Sequence, residues 1–203
     1  MKRFYISSSL WLTFGLSIAL LAAGIFPTIT EPLLQFDRAR IDAGEWWRLF
    51  TGQLVHFGFY HLLMNIAALL LCGFVLLRDI QLWCYCTLLL FSATVVGLGL
   101  YYFNPELFFY AGLSGVLHGL IIGGLLFGIR LTPIFNGIAL LLVFAKIIHE
   151  QSAGFDTSHA LLPVPVAVDA HAYGALAGLL ATALIFVVKH FARNSLSNVK
   201  EQH

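Results

Sequence analysis

The sequence has little charge. Only 10% of its 203 residues are Asp, Glu, Lys or Arg, where a soluble domain carries about 25%. The formal net charge is +1. No basic face exists to hold phosphates, which excludes nucleic acid as a partner. Cysteine is scarce too. Cys72, Cys84 and Cys86 lie inside apolar stretches, without a C-x-x-C pair or finger spacing, and read as small buried hydrophobes. There is no H-E-x-x-H, and the histidines lie on different apolar runs without acidic partners, which weighs against a metalloprotease. Carboxylates are missing from the interiors of the apolar runs, and no broken-helix pair is evident, which weighs against a six-helix transporter or channel. Internal repeats and low-complexity segments are also absent.

What is present is apolar. Hydrophobic residues make up 60% of the chain and the mean hydropathy is +0.88. They fall in blocks of about 18–22 residues, the length that crosses a hydrocarbon core. This predicts an all-α membrane protein of one domain, with the lipid bilayer as its solvent. Six spans are expected, at residues 10–26, 58–77, 81–101, 113–129, 134–148 and 170–188, followed by a polar, frayed tail at 189–203. Leu21-Ala22-Ala23-Gly24 resembles a signal-peptidase site, but the length of the apolar run favours an uncleaved first span. Residues 27–57 read as a long outer loop, with Trp46-Trp47 marking an interfacial segment. Residues 151–168, with Pro163 and Pro165, form a second outer loop.

Six spans place both termini on one side. That side carries Lys2, Arg3, Arg78, Arg130, Lys189, Arg193 and Lys200; the other carries Arg38, Arg40, Arg48 and Lys146. The excess puts both termini in the cytoplasm.

Two polar residues stand out against this background. Ser114 opens the fourth span in Gly112-Leu113-Ser114-Gly115, and His171 opens the sixth. Both spans run in the same direction, so the two residues lie at similar depth near the outer face. Gly115, Gly119 and Gly123 recur at helical spacing on the fourth span, and Gly174 and Gly178 on the sixth. Small residues at this spacing let helices approach closely in lipid. The pairing suggests a serine nucleophile with histidine as general base. Asp169 is two residues from His171 and points elsewhere on a helix, so a dyad without an acidic third member is expected. The second span offers His56, His61 and Asn65. His61 and Asn65 share a helical face, and the Asn65 amide suits either an oxyanion site or a helix-to-helix hydrogen bond. Lys146 and Glu150, four apart at the outer end of the fifth span, suit two interfacial charges or a contact to the substrate.

These pieces together resemble the rhomboid intramembrane serine proteases over roughly residues 46–190. Trp47-Arg48 is similar to the family's W-R pair, and His61-Leu62-Leu63-Met64-Asn65 to its H-x-x-x-N. Gly112-Leu113-Ser114-Gly115 is similar to the G-x-S-G turn. Ala170-His171-Ala172-Tyr173-Gly174, continuing to Gly178, is similar to A-H-x-x-G-x-x-x-G. The resemblance implies a six-transmembrane-helix rhomboid-like bundle. It implies Ser114 as nucleophile, His171 as base, and His61 and Asn65 at the oxyanion with the Ser114 backbone N–H; His56 matches a further histidine near the site. Membrane-anchored proteins would be cut near the outer face of the bilayer, without metal or cofactor.

One position departs from the family: His118 stands where rhomboids commonly place a tyrosine beside the catalytic histidine. It is expected to stay neutral and pack against His171. The run Gly112–Gly119, the small size and the Lys146…Glu150 stretch resemble the rhombosortase subgroup. That implies a bacterial inner-membrane enzyme facing the periplasm, acting on exported proteins with a Gly-Gly-type C-terminal anchor. A general rhomboid protease with other single-span substrates is the alternative.

Overall fold

The computed structural model describes residues 6–158 and 162–200, with the side chains of 195–200 left aside. Lys2 and Arg3, part of the charge count above, and the last residues of the tail fall outside the described residues, as does the Lys200 side chain.

Helix α1 (Ser8–Ile25) starts where the Ser7 hydroxyl accepts a hydrogen bond from Leu10 N. It runs unbroken through Leu21–Gly24 and packs against Leu62 there. The loop that follows, expected on the outer side, is built rather than loose. It contains α2 (Pro27–Leu34), α3 (Arg38–Asp42) and α4 (Arg48–Thr51). A two-residue strand β1 (Phe36–Asp37) pairs antiparallel with β2 (Phe109–Tyr110), Phe36 opposite Tyr110.

Two arginines hold this loop. Arg48 is 1% exposed, pairs with Glu45 at 2.6 Å, and donates to the carbonyls of Pro32 and Gln35. A buried guanidinium needs all its donors occupied, and here it ties three turns together. Arg38 donates to the carbonyls of Leu100, Tyr101 and Asn104 at the end of the helix over Leu82–Phe103, and to Leu107 beyond it. A cation satisfies orphan carbonyls at a helix C-terminus. Trp46 and Trp47 stay half exposed, as interfacial residues do.

Five longer helices make the body. Helix α5 (Phe59–Cys72) winds on as a π-helical turn over Gly73–Leu77. Then come α6 (Leu82–Phe103), α7 (Ser114–Gly128), α8 (Pro133–Glu150) and α9 (Val168–Lys200). Among the described residues, α1, α5 with its π turn, α6, α8 and α9 are long and apolar enough to cross a membrane.

Helix α7 is not. Its 15 residues rise about 22 Å, short of the ~30 Å hydrocarbon core. The helix nevertheless covers the segment expected at 113–129, one residue in at each end. Gly112 has φ +129°, which breaks the helical path before Ser114, and the chain from Asn104 to Leu113 is otherwise irregular apart from β2. Non-helical backbone at membrane depth is tolerated only where protein or a wet cavity covers it. The expected frayed tail is corrected: α9 continues as helix to Lys200.

The molecule is packed around α7. Ten of its residues are buried, from Gly115 to Leu125. An added Cβ at Gly115 would lie 2.8 Å from the Ala170 carbonyl oxygen, and one at Gly119 would lie 2.8 Å from that of Gly174. Gly174 and Gly178 of α9 face Gly115 and Gly119 in return. Gly123 departs from the expected seam and packs on Leu88 of α6. In lipid, where no water drives apolar faces together, this backbone approach supplies the packing.

Candidate active site

The irregular stretch before α7 is forced by its contacts. Gly112 lies in left-handed backbone space, and the His61 ring occupies the place its Cβ would take, 2.8 Å from Nε2. Only glycine fits both conditions. The Gly112 carbonyl accepts from the buried Tyr110 hydroxyl at 2.7 Å. Burial pushes the Tyr110 phenol well above its ordinary range, so it remains a neutral donor. Gly112 N donates to the Gly52 carbonyl at 3.1 Å. Leu113 N–H donates to His56 Nε2 at 3.4 Å. The turn is thus pinned on both flanks, and Ser114 opens α7.

Ser114 Oγ lies 3.1 Å from His171 Nε2. The glycine seam between α7 and α9 sets that distance, because Gly115 meets Ala170, the residue before His171, at backbone contact. His171 is buried in the first turns of α9. His118, one turn below Ser114, stacks on the His171 ring with centroids 4.2 Å apart and planes inclined by 22°. Its Nδ1 bonds the Ser114 carbonyl at 2.8 Å, and its Nε2 lies 3.2 Å from Lys146 Nζ. An ammonium only donates, so His118 Nε2 accepts and Nδ1–H donates to the carbonyl.

The other nitrogen of His171 has a partner that sequence reasoning missed. Glu150 Oε2, at the end of α8, lies 2.9 Å from His171 Nδ1. Glu150 Oε1 accepts from Lys146 at 2.6 Å. The expectation of a histidine without an acidic partner is corrected. Asp169 does point elsewhere, to the Asn104 side chain. The missing information was the rotation of α8 about its axis. One signal existed: Glu150 closes α8 at the same end of the bundle at which Ser114 opens α7 and His171 lies in α9.

His61 and His56 stand edge to face, ring centroids 5.0 Å apart. His61 lines the cavity beside Ser114, whereas His56 lies behind the turn. Burial, then the neighbouring His61, push the His56 pKa down to about 3, so it stays a neutral acceptor for Leu113 N–H. Asn65 is buried on α5, and its amide donates to the His61 carbonyl at 2.9 Å. That bond holds the start of α5 in shape and leaves one amide hydrogen.

A cavity of about 520 Å³ reaches Ser114. Its walls are Gln35, Phe57, His61, residues 107–111, Leu162 and residues 164–167. Apolar side chains dominate, and among the described residues none in the lining is charged. This suits an extended apolar or small-residue segment. His118, Glu150 and His171 offer ligand atoms within 4.8 Å of one another, a spacing that can hold a metal ion. The Lys146 ammonium already lies against two of the three as a fixed cation. A metal there would have to displace it, so these donors do not fit a resident metal.

The chain matches the Rhomboid domain family over residues 43–188. It is also 35% identical over 77 residues to a Bacillus subtilis (strain 168) protein described as "Putative rhomboid protease YdcA". That alignment covers 38% of this chain and 39% of the relative, well under half of either.

Proposed function

Because the chain belongs to the rhomboid family, we propose that it is an intramembrane serine endopeptidase using Ser114 as nucleophile and His171 as base. The observation that carries this is the 3.1 Å approach of Ser114 Oγ to His171 Nε2 at the end of a cavity wide enough for a peptide. As the Ser114 Oγ–carbon bond forms, the hydroxyl proton moves to His171 Nε2. The resulting oxyanion is met by the N–H groups of the first turn of α7, which lack intrahelical acceptors, and by His61. Collapse of the intermediate returns the proton from Nε2 to the leaving amine. Water then repeats the sequence on the acyl-enzyme, releasing a new C-terminus.

The substrates are membrane-anchored proteins, and the finer reading is a rhombosortase. Its support is the run Gly112–Gly119 with His118 in the tyrosine position, and a cavity whose described lining carries no charge. On that reading the enzyme sits in a bacterial inner membrane with both termini cytoplasmic. It removes a Gly-Gly-type C-terminal anchor at the periplasmic side.

The test is cleavage in liposomes of two single-span substrates, one with a Gly-Gly anchor and one with other small residues at that place. The parent cuts at least the first, and Ser114→Ala and His171→Ala cut neither. Cleavage that persists in Ser114→Ala overturns the serine mechanism. Equal cleavage of both substrates overturns the rhombosortase reading and leaves a general rhomboid protease.

A further inference from the structure

Deepening that reading, and resting on it, we infer that Glu150 is a positioning residue: it fixes the tautomer and ring orientation of His171, so that serine, histidine and carboxylate work as three. The acid comes from α8, a different helix from either member of the expected dyad.

Hydrogen placement makes the case. Lys146 Nζ has only donors. It spends one on Glu150 Oε1 and another on His118 Nε2. Glu150 beside an ammonium is a carboxylate, and a carboxylate only accepts. Its Oε2 therefore requires the hydrogen on His171 Nδ1, 2.9 Å away. The Nε2 lone pair is then left facing Ser114 Oγ, the tautomer in which imidazole can take the hydroxyl proton. When it does, the imidazolium forms next to a carboxylate 10% exposed. An orienting acid of this kind acts without becoming protonated itself.

The neighbours support this role. Charged and titratable groups reach His171 from three packed helices: His61 of α5, His118 of α7, and Lys146 and Glu150 of α8. Among these described neighbours Glu150 alone is acidic; Asp169 on α9 itself bonds Asn104. His118 stacks on the ring but turns its own nitrogens to the Ser114 carbonyl and to Lys146. It fixes the ring plane without competing for Nδ1.

The test uses Glu150→Gln and Glu150→Asp in detergent-purified full chain, with a fluorophosphonate probe and proton NMR of the imidazoles. Gln keeps the shape but can present its NH₂ to Nδ1 and invert the tautomer. Glu150→Gln is expected to lower the maximal labelling rate about 100-fold or more at unchanged half-saturating probe concentration. Glu150→Asp recovers part of the rate. In the Ser114→Ala background, a downfield Nδ1–H resonance of His171 is present with Glu150 and lost with Gln, a readout that a merely structural ion pair does not move. The inference is overturned if Glu150→Gln labels at the parent rate, or if the parent lacks the Nδ1–H resonance. Should Ser114→Ala itself label, the protease reading fails instead, so the two failures are distinct.

Discussion

Helices α7 and α8 follow one another across a short turn and are built on opposite plans. Ten of the fifteen residues of α7 are buried, against two of the eighteen of α8, Asn136 and Ile147. On α7 glycines meet the backbone of α9 and the side chains of α6. On α8 Ile134, Ile138, Leu141 and Leu142 lie exposed on the face left to lipid. An apolar-all-round helix is buried in the centre; α8 is held on one side only, by Asn136 against Gly128, by Leu140, Val143, Phe144 and Ile147 packed with Ile122 of α7 and Ala175 of α9, and by Lys146 and Glu150 at the site. The nucleophile and base thus share a rigid seam, while the carboxylate behind the base rides on a looser helix. Precision matters most where bonds are made, and less for a group that only orients.

The largest effect that sharpens this contrast comes from the seam. At Gly174 an added Cβ would fall on the Gly115 carbonyl oxygen, which is backbone and cannot swing away. Gly174→Ala is expected to destabilise by about 3 kcal/mol or more and to abolish probe labelling, because α9 must back off and carry His171 from Ser114. Thermal unfolding in detergent with a labelling assay checks it. A Gly174→Ala protein that melts and labels like the parent would show the seam to be looser than its geometry.

A smaller effect separates the two regions by pH. His56 props the nucleophile turn from the rigid side, its pKa held near 3 instead of 6.5 by burial and by His61. Protonation is therefore favoured in the unfolded chain. The stability His56 permits is full above about pH 6.5 and falls by about 1.4 kcal/mol per pH unit as pH drops from there towards 3. Replacing His56 with Gln, which can still accept from Leu113 N–H, is expected to flatten the decline in melting temperature between pH 6.5 and pH 4. An unchanged slope would move the pH sensitivity elsewhere.

How much of this was legible in the sequence follows the same divide. Ser114 and His171 could be expected together, with His61 nearby, because depth and helical face depend only on counting residues along each span. The W-R pair, the histidines and the two glycine stripes also pointed to the family to which the chain belongs. Glu150 could not be placed. Its position needs the rotation of α8 relative to α9, and a helix whose surface is mostly left to lipid carries no sharp apolar stripe to set that rotation. The approach to Ser114 was hidden for another reason. The residues before Ser114 form the Gly112 turn, β2 and the hydrogen bonds to Gly52 and His56. Those contacts join residues 57 to 74 positions apart, and periodicity does not report them.

The smallest effect tests the loose side by a substitution that matches the first. Gly137 lies in the first turns of α8, and a Cβ there meets nothing within 4 Å. The added methyl faces open space rather than backbone, and alanine narrows the freedom of the unfolded chain. Gly137→Ala is expected to leave labelling unchanged and to stabilise by no more than about 0.5–1 kcal/mol. The same chemical change, one methyl on a helical glycine, thus runs from abolished activity on α9 to near silence on α8. Clear destabilisation at Gly137 in the same unfolding assay would mean that a surface packs on that face of α8, and the contrast between the two helices would have to be redrawn.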